Sequence, residues 1–472
     1  MTELAFLTAS ELVPLFKAKK VSPVEVLRAI FRRIEKLDST YHSYITTIPD
    51  DALKQAQEAE AAIMRNKDLG PLHGVPVGIK DLYHTKGIRT TSGSGMLRDF
   101  IPKMNATTVE KLLKAGSIMT GKLNTHEMAG GVSSINPFYG ASRNPWNPNY
   151  LTGGSSGGSG AALAAGLATL ATGSDTFGSI RVPASMCGVY GIKPTYGLIS
   201  PHGITPLAAS LDHPGPMARS VSDLALMLGI MAGYDEKFPV SLKVKVPDYT
   251  QSLNKDIQGL KIGVPGYFLQ GLDNEVEKLF MNALNTFTSM GAIVTEVSLP
   301  ELSMSTFAGY VVLTVESSNY HLDMLRTNPS GFGNDVRILF ESGLLLDHTH
   351  YIRAQQARRK IADTLKKSFG EVDILAAPAI PITVPRFQEN WVLQSIELTN
   401  RCMPFTAPGN TSGIPSLSAP IGFSSNGLPV GMQLMADHLR EDLLFQAGDA
   451  WEKFYKGSSL HKQFPDGLET TK

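Results

Sequence analysis

Apolar residues recur at helical spacing early in the chain and collect into short strand-like runs later on. After Ser22-Pro23-Val24-Glu25, the residues Leu27, Ile30, Phe31, Ile34 and Leu37 fall on one helical face. The four residues before that face have the form of a capping box with proline at the first helical position, and Thr8 with Glu11 forms another. The Ala- and Glu-rich run from Asp51 to Asn66 predicts a further helix, stopped by Leu69-Gly70-Pro71. Residues 1–70 therefore read as a helical support. From His73 onward the apolar runs shorten and are divided by glycine and proline. VPVGIKD (75–81), TTVEKLLKAG (107–116) and SIMTGK (117–122) read as strand, helix, strand. The alternation returns with LKIGVPG (260–266), the helical run 273–291 and AIVTEVSLP (292–300). Residues 301–370 carry amphipathic stretches such as IRAQQARRKIADTLKKSF (352–369) and read as a helical insertion. Strands resume over 371–435 with VDILAAPAI, PSLSAPIGF and LPVGMQLMA. Alternating strands and helices predict an α/β fold, a sheet with helices on its faces. No repeat or low-complexity linker divides the chain, so 1–472 reads as one domain.

Charge and composition narrow the function. The 43 Lys and Arg equal the 43 Asp and Glu, so no net field draws the chain to nucleic acid or an anionic membrane. The most apolar tract, Ala161 to Ala171, is too short to cross a bilayer. The opening MTELAFLTAS has no basic region followed by an apolar stretch, and a cytoplasmic chain is expected. Cys187 and Cys402 stand alone, without paired-Cys or Cys/His spacing, which argues against a zinc site or a disulfide framework.

The strongest local feature is the run Gly153-Gly154-Ser155-Ser156-Gly157-Gly158-Ser159-Gly160, followed by AALAAGLATLATG (161–173), which reads as an Ala-rich helix. Glycines there permit tight turns and close approach of a ligand to backbone amides. As a phosphate cradle the run lacks the Gly-Lys-Ser/Thr ending; the nearest match, Gly116 to Gly121-Lys122, is followed by Leu123, which cannot hold magnesium. As a nucleophile elbow it satisfies G-x-S-x-G at Ser155, with His348, His350 and His438 as downstream partners. A second glycine turn spans Gly173 to Ala184 and contains Ser179. Upstream, Lys80 sits in the apolar run 75–81, where desolvation lowers its pKa toward that of a base; an ion pair with Asp81 is the structural alternative.

Together with GKLNTHEMAGG (121–131), NPWNPNYLTGGSSGGSGAALAAG (144–166), GIKPTYGLIS (191–200), SLDHPGPMARS (210–220) and the closing TSGIPSLSAPIGF and GLPVGMQLM, these segments resemble the amidase signature family, serine hydrolases of amide bonds with a Ser–cis-Ser–Lys triad. The resemblance implies a mixed sheet covered by helices on both faces, with residues 71–235 as the core carrying the triad. It implies Ser179 as the acyl-forming nucleophile, Ser155 as the bridging serine on a cis peptide bond and Lys80 as the base. The backbone amides of Thr176, Phe177, Gly178 and Ser179 are the implied oxyanion hole. Met128, Ala129, Gly130 and Gly131 match the substrate-lining loop, and Ser156, Asp175 and Arg181 are supporting residues. One position departs from the pattern: Phe177 stands where the family ordinarily has Gly or Ala, so the ring must enter the pocket or pack beneath the turn. A site requiring φ > 0 at that position would strain it.

The expected reaction is hydrolysis of a carboxylic amide to an acid and ammonia or an amine, with no cofactor and no metal. The expected partner is a small-molecule amide, with neither nucleic acid nor membrane, and a homodimer is compatible. Two alternatives stand beside this reading. One is the glutaminase subunit of an aminoacyl-tRNA amidotransferase, with stable partner subunits. The other is a catalytically impaired binding protein of the same fold, for which Phe177 is the only sequence support.

Overall fold

The computed structural model describes residues 2–67, 70–462, 464, 465 and 468; Leu69 of the expected helix stop lies outside the described residues. Eleven strands form one sheet: β1 Tyr44–Thr47, β2 Pro76–Lys80, β3 Ile118–Leu123, β4 Leu170–Asp175, β5 Tyr190–Lys193, β6 His213–Ala218, β7 Lys261–Pro265, β8 Ile293–Val297, β9 Ile374–Pro378, β10 Ser416–Phe423 and β11 Pro429–Ala436. Their spatial order is β1-β3-β2-β4-β6-β5-β10-β11-β9-β7-β8. β2 runs parallel to β3 and β4, and β7 runs parallel to β8 and β9. The other neighbours are antiparallel. The result is a mixed sheet covered by helices on both faces. β2, β3, β9 and β11 are buried at every position, which is why they read as continuous apolar runs rather than as alternation.

Both expected capping boxes form. Thr8 opens the helix Ala9–Lys17 and Ser22 opens Pro23–Tyr41, each answered by the glutamate three residues on. Helices Ser305–Tyr320, Leu322–Thr327, Asn334–Gly343 and His348–Ser368 occupy the stretch read as helical.

Three elements differ from the sequence reading. The first seventy residues are not all helical, because β1 pairs with β3 at the sheet edge. The Ala-rich run is not one helix: Gly157–Ala164 is helical, the chain turns at Gly166 with φ +65°, and Leu170–Asp175 is the buried strand β4. A Cβ at Gly166 would also stand 2.9 Å from the Phe6 ring. A fully buried strand and a buried helix share the same apolar texture, so periodicity cannot separate them. Finally, the stretch 371–435 is not only strands, since Trp391–Ser412 is a 22-residue helix. Pro404 and Pro408 lie inside it and hide it from propensity, each removing one ladder donor.

Candidate active site

Lys80 ends β2, an inner strand of the sheet, and is fully buried. Its Nζ donates to Ser155 Oγ at 2.7 Å, Ser156 Oγ at 2.8 Å and Ser174 Oγ at 2.9 Å. Burial drives its pKa well below the ordinary lysine value; Asp175 and Asp212 pull the other way and do not win. A neutral amine has two hydrogens and one lone pair, so in that form one of these three hydroxyls donates to Nζ instead. The alternative pairing with Asp81 does not form. Asp81 accepts from Thr91 and lies 3.5 Å from Lys122 Nζ. Lys122, the lysine of the rejected phosphate-loop match, is buried and bonded to Tyr83 O and Thr90 Oγ1.

Ser155 follows a cis Gly154–Ser155 peptide bond. Its carbonyl accepts from His126 N at 3.0 Å, Thr125 Oγ1 at 3.0 Å and Ser134 Oγ at 3.1 Å. The Ser156 amide in turn donates to the carbonyl of Ser179 at 3.2 Å, tying the two glycine turns together. The histidines that an elbow would need are elsewhere. His348 is exposed at the surface, His350 pairs with Asp347, and His438 reaches the carbonyl of Ser412.

Ser179 lies between β4 and the helix Arg181–Cys187, nearly buried, and faces a cavity of about 100 Å³. Its turn is built around Asp175. The Asp175 carboxylate accepts from Gly178 N at 2.7 Å, Ile180 N at 3.2 Å, Arg181 Nε and Nη2 at 3.0 Å each, and Asn410 Nδ2 at 2.9 Å. Burial alone would raise the Asp175 pKa, but Arg181, with Lys193 and Asn410, outweighs it and holds the carboxyl well below the usual range. Arg181 also donates to Gln433 Oε1, Thr406 O and Asn410 Oδ1, which joins the turn to β11 and to the Trp391–Ser412 helix. The buried pair is thus fully hydrogen-bonded, the condition under which such a pair is tolerated.

Of the four amides expected to face an oxyanion, that of Gly178 is already held by Asp175. Those of Thr176, Phe177 and Ser179 donate to no group among the described residues. The positive φ falls on Gly178, at +98°, and not on Phe177. Phe177 is 4% exposed and packs against the Ser305–Tyr320 helix at Gly309, where a Cβ would stand 2.3 Å from the ring. The absence of a side chain at Gly309 accommodates the ring, and one flank of Phe177 still lines the cavity.

The cavity wall is mostly apolar, with Val132, Leu207, Leu313, Ile338, Leu339 and Ile396; Asp335 is the one charged side chain among its lining residues. Ala129, Gly130 and Gly131 line it as expected. Met128 does not: it is fully buried behind the loop, with its amide on the carbonyl of Ser92. Sequence reasoning missed Ser174, Thr125, Ser134, Thr406, Asn410 and Gln433. Ser174 alone carried a signal, standing beside Asp175 on the turn that contains Ser179. No cluster of His, Cys, Asp or Glu able to hold a metal occurs among the described residues, and no helix among them is long and apolar enough to cross a membrane.

A mixed sheet covered by helices, with a buried lysine against serines on two glycine turns, fits a class, the amidase-type enzymes that act on C–N bonds. The family model described as Amidase matches residues 25–445, and the chain belongs to the amidase signature family. A glutamyl-tRNA(Gln) amidotransferase subunit from Geobacter sp. (strain M21) is 40% identical over 96% of this chain and 98% of the relative. A solved structure described as part of an unexpected vestigial protein complex that reveals the origins of an s-triazine catabolic enzyme superposes with TM-score 0.89 at 33% identity, over 95% of this chain and 98% of that one. A bacterial aryl acylamidase superposes with TM-score 0.87 at 27% identity, over 95% and 96%. These likenesses correct the expected partners. Curated relatives over nearly the whole length are named as subunits of an amidotransferase acting on tRNA, and a structural neighbour comes from a protein complex. The expectation of a lone or homodimeric enzyme, meeting only a small amide and remote from nucleic acid, is set aside.

Proposed function

We propose that this chain is the amide-splitting subunit of an amidotransferase-type assembly, releasing ammonia from glutamine through an acyl-enzyme on Ser179. The observation that carries the chemistry is the 2.7 Å contact between buried Lys80 Nζ and Ser155 Oγ, since a serine hydroxyl needs a neighbour to take its proton. In this reading Ser179 Oγ attacks the amide carbonyl while its proton passes to Ser155 Oγ and the Ser155 proton passes to neutral Lys80. The oxyanion meets the amides of Thr176, Phe177 and Ser179. The relay then runs in reverse: the leaving nitrogen takes the proton, the C–N bond breaks, and ammonia departs. Water, deprotonated by the same relay, cleaves the ester and frees the acid. Ser156 and Ser174 keep Lys80 aimed, and Asp175 with Arg181 holds the nucleophile's turn. The assembly and the choice of glutamine rest on the relatives' names.

A second reading keeps the chemistry and the assembly but changes the acyl arm. The apolar cavity wall brings no cationic side chain to a substrate carboxylate, which favours a neutral acyl group over that of glutamine. Mass spectrometry after fluorophosphonate treatment, with peptide mapping of wild type and Ser179→Ala, tests the nucleophile: one adduct, on Ser179, is expected, and an adduct on Ser155 would overturn the assignment. Ammonia release from glutamine and from butyramide, with and without co-purifying subunits, then separates the two readings.

A further inference from the structure

The loop that lines the cavity through Ala129–Val132 is held to the helix Asn334–Gly343, which supplies Ile338 and Leu339 to the same cavity, at one buried junction. Glu127 sits in that junction, fully buried. Its Oε2 is 2.7 Å from the amide of Gly333, the residue that opens the helix, and Ser94 Oγ lies 2.5 Å from its Oε1. Beside it His126 Nε2 lies 3.0 Å from Asp335 Oδ2, a second contact between the same loop and the same helix. Gly333 is also closely fitted: a Cβ there would stand 2.9 Å from Glu127 Oε2 and 3.0 Å from Pro137. The loop carries two left-handed non-glycine residues, Met128 at φ +48° and Ala129 at φ +58°, a conformation that the surrounding contacts must hold in place.

We propose that Glu127 is a positioning residue for the reaction at Ser179: it clamps the start of the Asn334–Gly343 helix to the Ala129–Val132 loop and so fixes the width of the acyl cavity. The inference rests on the reading of Ser179 as the nucleophile. The clamp is pH-sensitive. Burial raises the Glu127 pKa, pushing it up to about 7, against the lowering effects of Ser94, Gly333 and His126; Asp335 adds to the rise. These are the hydroxyl, amide and charged groups that act on it. A carboxyl that holds its proton more tightly when enclosed than when hydrated favours the closed junction while protonated. As pH rises from about 5 to 7, ionisation therefore favours opening.

The test compares wild type with Glu127→Gln, which keeps the neutral shape, and Glu127→Ala, which removes the clamp. KM of the wild type is expected to rise between about pH 5 and 7 and then level off, KM of E127Q to stay level from pH 5 to 8.5, and E127A to show a KM about five- to tenfold higher at every pH. Fluorophosphonate labelling of Ser179 should persist in all three. A KM in E127A equal to wild type overturns the clamp, and a wild-type slope retained in E127Q overturns its pH dependence. Amide hydrogen exchange over 332–343, compared at equal pH, needs no substrate. Faster exchange in E127A than in E127Q supports the clamp even if Ser179 fails to label, an outcome that would count against the proposed chemistry instead; equal exchange overturns the clamp.

Discussion

Lys80 is buried among three hydroxyls, and the depression of its pKa by that burial sets the expected pH dependence. In the proposed reaction the proton acceptor is the neutral amine, so activity should rise as Lys80 loses its proton, at a pH below the ordinary lysine value. Lys80→Ala should lower kcat/KM by about 10²–10⁴-fold and erase that limb of the pH profile, as read from initial rates between pH 5 and 10. Phe177 makes a different prediction. Its ring fits only because Gly309 has no Cβ, so Gly309→Ala in the wild type should cost about 1–3 kcal/mol by overpacking. In a Phe177→Ala background the same change should cost much less, because the ring it would strike is gone. Urea denaturation of the four proteins in that cycle measures the coupling. F177A alone should lose about 3–5 kcal/mol as a buried aromatic is emptied.

At the scale of elements, the turn carrying Ser179 depends on a helix that the sequence conceals. The Trp391–Ser412 helix brings Asn410 to Asp175 and to Arg181, and Thr406 Oγ1 to the carbonyl of Phe177. Asn410→Ala leaves buried charges short of partners and should destabilise the protein by about 1–3 kcal/mol, with slower fluorophosphonate labelling of Ser179 at a temperature where the fold is intact. The contact of Lys80 with Ser155 was legible as an expectation, and Ser179 stood out as a candidate, because each sits in a dense local motif. Asn410 and Gln433 could not, since a single polar side chain gains its role only when distant segments meet. The capping boxes at Thr8 and Ser22 were legible for the same local reason. β4 was not, because Leu170–Asp175 is buried on both sides and continues the alanine-rich texture of the helix before it. The strand β1 was masked by its helical neighbours, and its pairing with β3 is a tertiary fact.

At the scale of the molecule, Cys187 and Cys402 report on how firmly the two sides of the active site are joined. Both thiols are buried, and burial pushes the Cys187 pKa up strongly and that of Cys402 up to about 12. Neither should react with iodoacetamide in the native state. Arg181 ties the helix ending at Cys187 to the helix containing Cys402. Both thiols should therefore become reactive at the same urea concentration, and exposure of one well before the other would show that the halves open separately. The same arginine has a consequence for synthesis on the ribosome. Its partner Gln433 lies 252 positions downstream, so the support of the turn carrying Ser179 is incomplete until most of the chain has been made. At about 5–20 residues per second that delay is roughly 10–50 s, during which a nascent chain already holding Lys80, Ser155 and Ser179 lacks the frame that orders them. Chemistry is thereby withheld from unfinished molecules, and a product truncated before residue 400 should be inert however well its first half is made.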